Sequence, residues 1–164
     1  MSEPVVHEEV VSESPFIGMV PREFVRTILS GVAIGIATGL VYVLLNKFVF
    51  GAVLCRPQST GNCAQAPDYA AIVAAVVSVI AGVAVLARAR IYRPLLIVLA
   101  VIISLWGLQN TMVAWPWYWG VIALAVLFGI AYGLYTWLAR IRNFILAIVI
   151  TLVVVVLVRW VLVA

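Results

Sequence analysis

The chain has 164 residues, 66% of them hydrophobic and 10% charged, with a formal net charge of +4. A soluble domain carries roughly 45–50% apolar and about 25% charged residues, so this composition excludes a chain that wraps its core in polar surface. The basic groups mark the ends of apolar runs rather than forming a stripe, which excludes a nucleic-acid partner and leaves the lipid bilayer as the natural solvent.

Residues 1–20, MSEPVVHEEVVSESPFIGMV, differ from the rest. Four of the six acids, Glu3, Glu8, Glu9 and Glu13, fall here; the other two are Glu23 and Asp68, and no carboxylate follows Asp68. A secretory signal opens with positive charge and runs into an apolar core. This segment does neither, so it is expected to be a retained, disordered acidic tail in the cytoplasm.

Crossing a hydrocarbon core of about 30 Å takes about 20 apolar residues in a helix. Five stretches are expected to cross, over 24–50, 69–87, 95–112, 117–138 and 144–163, making an all-α bundle of five transmembrane helices. Pro21 and Pro94 suit opening turns, where a missing N–H costs nothing. The last stretch is rich in Val and Ile, but a lone strand in lipid leaves its backbone unpaired, so helix is favoured there too.

Orientation follows from Lys and Arg. With the N-terminus in the cytoplasm, the inner segments hold Arg22, Arg26, Arg88, Arg90, Arg93, Arg140 and Arg142, and the outer ones hold Lys47, Arg56 and Arg159. The positive-inside rule therefore places the N-terminus inside and the C-terminus outside. Trp115, Trp117, Tyr118 and Trp119 around Pro116 read as an outer aromatic belt. Leu86-Ala87-Arg88-Ala89-Arg90 and Leu138-Ala139-Arg140-Ile141-Arg142 each join two spans, the pattern a duplicated hairpin would leave.

Three spans carry small residues four apart: Gly31, Gly35 and Gly39; Ala74, Ser78 and Gly82; Ala125, Gly129 and Gly133. Such stripes let helix backbones approach closely. They are expected to pack a compact bundle, with the first span also a candidate contact to another membrane protein chain or to a second copy.

The only two cysteines, Cys55 and Cys63, lie in the outer loop 51–68, in a turn-prone CRPQSTGNC stretch. In an oxidising compartment they are expected to form a structural disulfide, worth about 2.5 kcal/mol for a nine-residue loop by chain entropy. A redox centre needs a closer pair and a second pair to pass electrons onward. A zinc site wants four ligands, and none but these two is near.

No Asp, Glu or His lies inside an expected span, and the one histidine, His7, is in the tail. Proton relays and ion-coupled carriers place ionisable groups in the membrane. No catalytic residue, metal ligand or cofactor is therefore expected. Two weaker constellations remain. Asn46, Lys47, Asp68, Gln109 and Asn110, with Thr111, fall near the outer span ends and form a candidate polar site, Lys47 pairing with Asp68. Arg88, Arg90, Arg93, Arg140 and Arg142 form a candidate contact for anionic lipid.

The expectation from these residues is a small multi-pass protein of a prokaryotic plasma membrane, a non-enzymatic accessory, scaffold or assembly subunit. An oligomeric channel or carrier, and a thiol oxidoreductase using Cys55 and Cys63, are the alternatives. No motif carries a family resemblance.

Overall fold

The computed structural model describes residues 21–55, 63–89, 91, 93–108, 115–141 and 143–163. The acidic tail, Arg90, Gln109, Asn110, Thr111 and Arg142 lie outside the described residues. Among those described the protein is all-helical, with no strand. Helix α1 (Pro21–Leu44) runs without a break through a π-helical turn (Leu45–Phe50) into α2 (Gly51–Leu54). A short 3₁₀ turn (Cys63–Gln65) leads into α3 (Ala66–Arg88), followed by α4 (Pro94–Leu105), α5 (Trp117–Leu138) and α6 (Phe144–Val163).

Four helical stretches are long and apolar enough to cross a membrane: Pro21–Leu54, Cys63–Arg88, Trp117–Leu138 and Phe144–Val161. Among the described residues the third expected stretch is a shorter apolar helix. Of that stretch, expected over 95–112, Leu108 is helical, 109–112 lie outside the described residues, and the described helix is the 12 residues Pro94–Leu105. At about 1.5 Å per residue that is roughly 18 Å, well short of a hydrocarbon core. The cause is local. Trp106 turns to an extended conformation (φ −64°, ψ 129°) and Gly107 takes φ +97°, a left-handed stop that glycine adopts at little steric cost. The apolar run continues past this point, so hydropathy alone does not reveal the stop.

The helices alternate in direction. Along α1, Gly31 faces Tyr132, Gly35 faces Ala125, and Gly39 faces Val121, so α5 runs antiparallel to α1. Thr38 meets Ser78 near mid-helix, and Arg88 reaches the level of Arg26, so α3 also runs antiparallel to α1. α4 returns beside α3, with Val98 against Gly82, and Tyr135 of α5 bonds Ser104. α6 follows α4 in parallel: the Arg93 guanidinium sits 4.6 Å from the Phe144 ring centre at one end, and Arg159 reaches the carbonyl of Ile103 towards the other.

The core is built from Leu86, Ile97, Val98, Val101, Phe128 and Tyr132. Outside it the bundle is greasy rather than polar: Ile80, Ile130, Ile145 and Leu152 all point outward. The two arginine-bearing connections wind down alike, each adding turns bonded back to the preceding helix. Their second arms differ, however, at 12 residues in α4 against 20 in α6. Asn143 starts α6 by accepting the Ile145 N–H on its side-chain oxygen at 3.2 Å, a typical N-cap bond.

Candidate functional site

The small-residue stripes are used within the chain. A Cβ added at Gly31 would lie 2.7 Å from the Tyr132 Cβ, and one at Gly35 would lie 2.8 Å from the Ala125 Cα. From the other side, a Cβ at Gly129 would meet Val32 at 2.6 Å and one at Gly133 would meet Ile28 at 3.1 Å. The stripes of α1 and α5 thus face each other and bring the two backbones into contact. The third stripe seats α3: Ala74 is buried, Ser78 bonds Thr38, and a Cβ at Gly82 would run into the Tyr132 hydroxyl.

Several hydroxyls within the helices are also engaged, while those of the buried Thr136 and Thr151 have no partner among the described residues. Thr38 donates to the Ile34 carbonyl at 2.7 Å and shares a 2.5 Å hydrogen bond with Ser78, which bonds the Ala74 carbonyl. Ser104 bonds the Ala100 carbonyl and the Tyr135 hydroxyl. Ser30 donates to the Thr27 carbonyl. Such bonds satisfy polar groups that lipid would leave stranded.

The early end of α4 has a consequence beyond its own length. α1, α3 and α5 continue past the level of Leu105, and a cavity of about 420 Å³ lies between them and the break in α4. Its walls are Gly39, Tyr42 and Val43 on α1 and the small side chains of Ala71, Ala74 and Ala75 on α3. Leu124 and Phe128 of α5 with Ile102 of α4 close its deep end, and Trp106, Trp115 and Trp117, all exposed, form its rim. Asn46, half-buried, and Lys47, exposed, stand at the mouth on the π-helical turn. That turn is closed by the Gly51 N–H bonding the Asn46 carbonyl, a contact so close that a Cβ at Gly51 would lie 2.7 Å from that oxygen.

The polar site expected near the outer span ends is therefore partly assembled. Asn46 and Lys47 line one cavity and two of the belt tryptophans wall it. Asp68, in the first turn of α3, does not line it. Lys47 and Asp68, expected to pair, sit on different elements, and no ion pair between them is found among the described residues. Sequence reasoning missed Tyr42, Trp106 and Phe128. Tyr42 was open to detection, because Gly39, Tyr42, Val43, Asn46 and Lys47 repeat at helical spacing on one face.

Cys55 and Cys63 lie at disulfide distance, with Cα atoms 4.6 Å apart, and clasp the loop between α2 and the 3₁₀ turn. Of the five arginines expected at the lipid contact, Arg88, Arg93 and Arg140 are described. Arg88 joins Glu23, Arg26 and Thr27 around a recess of about 230 Å³ at the opposite end of the bundle, while Arg93 stacks on Phe144. Among the described residues no group of His, Cys, Asp and Glu gathers as metal ligands. Comparison with protein families, characterised proteins and solved structures returns no match.

Proposed function

We propose that this is a non-enzymatic, multi-pass membrane protein that serves as an accessory, scaffold or assembly subunit of a larger membrane complex, with its N-terminus in the cytoplasm. A prokaryotic plasma membrane suits its short connections and small size. One observation carries the reading. Val121 of α5 is level with Gly39 of α1, and α5 begins four residues further on, at the exposed aromatics Trp117, Tyr118 and Trp119. From Gly39 the first helical stretch continues to Leu54. At about 1.5 Å per residue the α1–α3 hairpin therefore overshoots the aromatic belt by roughly 15 Å.

That projection is stiff and apolar. Phe50 stacks on Tyr69 across the hairpin, 6.0 Å between ring centres, and the cysteine clasp holds its tip. Phe48 is 72% exposed and Val53 61% exposed, at a height where lipid tails no longer cover them. Exposed apolar surface outside the hydrocarbon is the mark of a protein contact. The glycine face of the first span is occupied by α5, so a partner would use this projecting end instead. Less supports a pore within one chain, because Leu124 and Phe128 close the deep end of the cavity and Tyr132, Val98 and Leu86 pack below. A thiol oxidoreductase would have to work with the single Cys55–Cys63 pair.

Native mass spectrometry of the protein extracted gently from its own membrane tests this. The expected result is a complex with other chains in fixed ratio that is weakened by Phe48→Ser together with Val53→Ser. A lone monomer, or a homo-oligomer with no other chain, overturns the reading.

A further inference from the structure

We infer that the cavity between α1, α3, α4 and α5 is a binding site for a single-chain amphiphile, its hydrocarbon tail inside and an anionic oxygen group, carboxylate or phosphate, on Lys47. The cavity is graded along its length. From Lys47 down to Thr38 it extends roughly 13 Å, taking about 1.5 Å per helical residue. At the deep end the lining is Ile102, Leu124 and Phe128, and the one polar side chain there, Thr38, already bonds Ser78 and the Ile34 carbonyl. That end therefore offers a ligand only apolar contact.

The mouth is the reverse. Among the described residues Lys47 has no ion-pair or hydrogen-bond partner, and the Asn46 side chain beside it is also unengaged. Lys47 lies eight residues past Gly39, about 6 Å beyond the level of Trp117 by helical rise. In the orientation proposed above, that is the depth of lipid headgroups. An exposed ammonium at the mouth of an apolar shaft is complementary to an anionic head carrying an alkyl tail. The volume, about 420 Å³, lies within the roughly 300–1,000 Å³ of small-molecule sites. Lys47 also sits on a π-helical turn, a feature that recurs at functional sites.

Gly120 supplies a clean block. It lines the cavity, and a Cβ built on it meets no atom within 4 Å. Gly120→Leu would occupy the shaft without disturbing the packing, and Ala75→Leu would fill it from the α3 wall. The inference stands apart from the partner reading, since loss of a partner chain leaves the cavity intact.

The test is native mass spectrometry of the full chain in mild detergent, titrated separately with a long-chain fatty acid, an anionic lysophospholipid and a neutral monoacylglycerol of matched tail. The expected result is a saturable one-to-one adduct with at least one of the two anionic amphiphiles, weakened roughly tenfold or more by Lys47→Gln. Gly120→Leu should abolish it, with Ala75→Leu as the second block should the first fail to fold. Binding of the fatty acid alone identifies a carboxylate ligand, and binding of the lysophospholipid alone identifies a phosphate one. No saturable adduct, an adduct that survives both blocking variants, or equal affinity for the neutral control would overturn the inference.

Discussion

Two glycines on one face-to-face helix pair show how differently the same residue can be used. Gly35 sits where the backbones of α1 and α5 touch: its Cβ would lie 2.8 Å from both the Ala125 Cα and the Leu124 carbonyl oxygen. Backbone atoms cannot rotate aside, so Gly35→Ala must push the helices apart. The expected cost is about 1–3 kcal/mol, the range for overpacked cores. Gly120 faces open space, and Gly120→Ala replaces a poor helix former with the best one. It should hold stability constant or raise it by up to about 1 kcal/mol. Thermal unfolding in detergent reads both: a lower melting temperature for Gly35→Ala and none for Gly120→Ala. Equal effects would mean that close approach is not what Gly35 provides.

At the scale of elements, the two features that shape the candidate site are ends rather than middles. α4 stops at Leu105 because Gly107 takes a left-handed φ, and the cavity lies beside that break. The α1–α3 hairpin closes beyond the belt through Cys55 and Cys63. A covalent link across nine residues restricts the unfolded loop by about 2.5 kcal/mol on the chain-entropy account. Cys55→Ser should therefore lower stability by about that amount while leaving the protein inserted and helical, measured by unfolding and by circular dichroism of the same sample. A variant of unchanged stability that loses a thiol-exchange activity would instead make the pair a redox centre.

The molecule as a whole is sorted by end. One end holds Arg22, Glu23, Arg26 and Arg88, and the other holds Lys47, the aromatic rim and the cysteine clasp. An excess of cations at the first end favours retaining it in the cytoplasm. In intact cells Ser14→Cys should then resist a membrane-impermeant thiol reagent until the membrane is opened. Ala64→Cys, beside the clasp, should react at once. Labelling of the tail from outside would reverse the orientation and move Lys47 to the inner surface.

The helical class was legible in the chain because lipid leaves the backbone no other way to satisfy its hydrogen bonds, so apolar length alone identifies a helix. The small-residue stripes were legible for a similar reason: spacing by four places residues on one face whatever they meet. What those faces meet was not. That the stripes of α1 and α5 close on each other, and that Gly82 makes room for Tyr132, depends on helix order and tilt, which no single segment encodes. Nor could hydropathy show α4 ending at Leu105, since Leu108, Met112 and Val113 prolong the apolar run past a stop made by backbone geometry at one glycine. The cavity lies between that break and three neighbouring helices that continue past it. It is a property of several helices set side by side, and it brings Asn46 and Lys47 together with Phe128 from far along the chain.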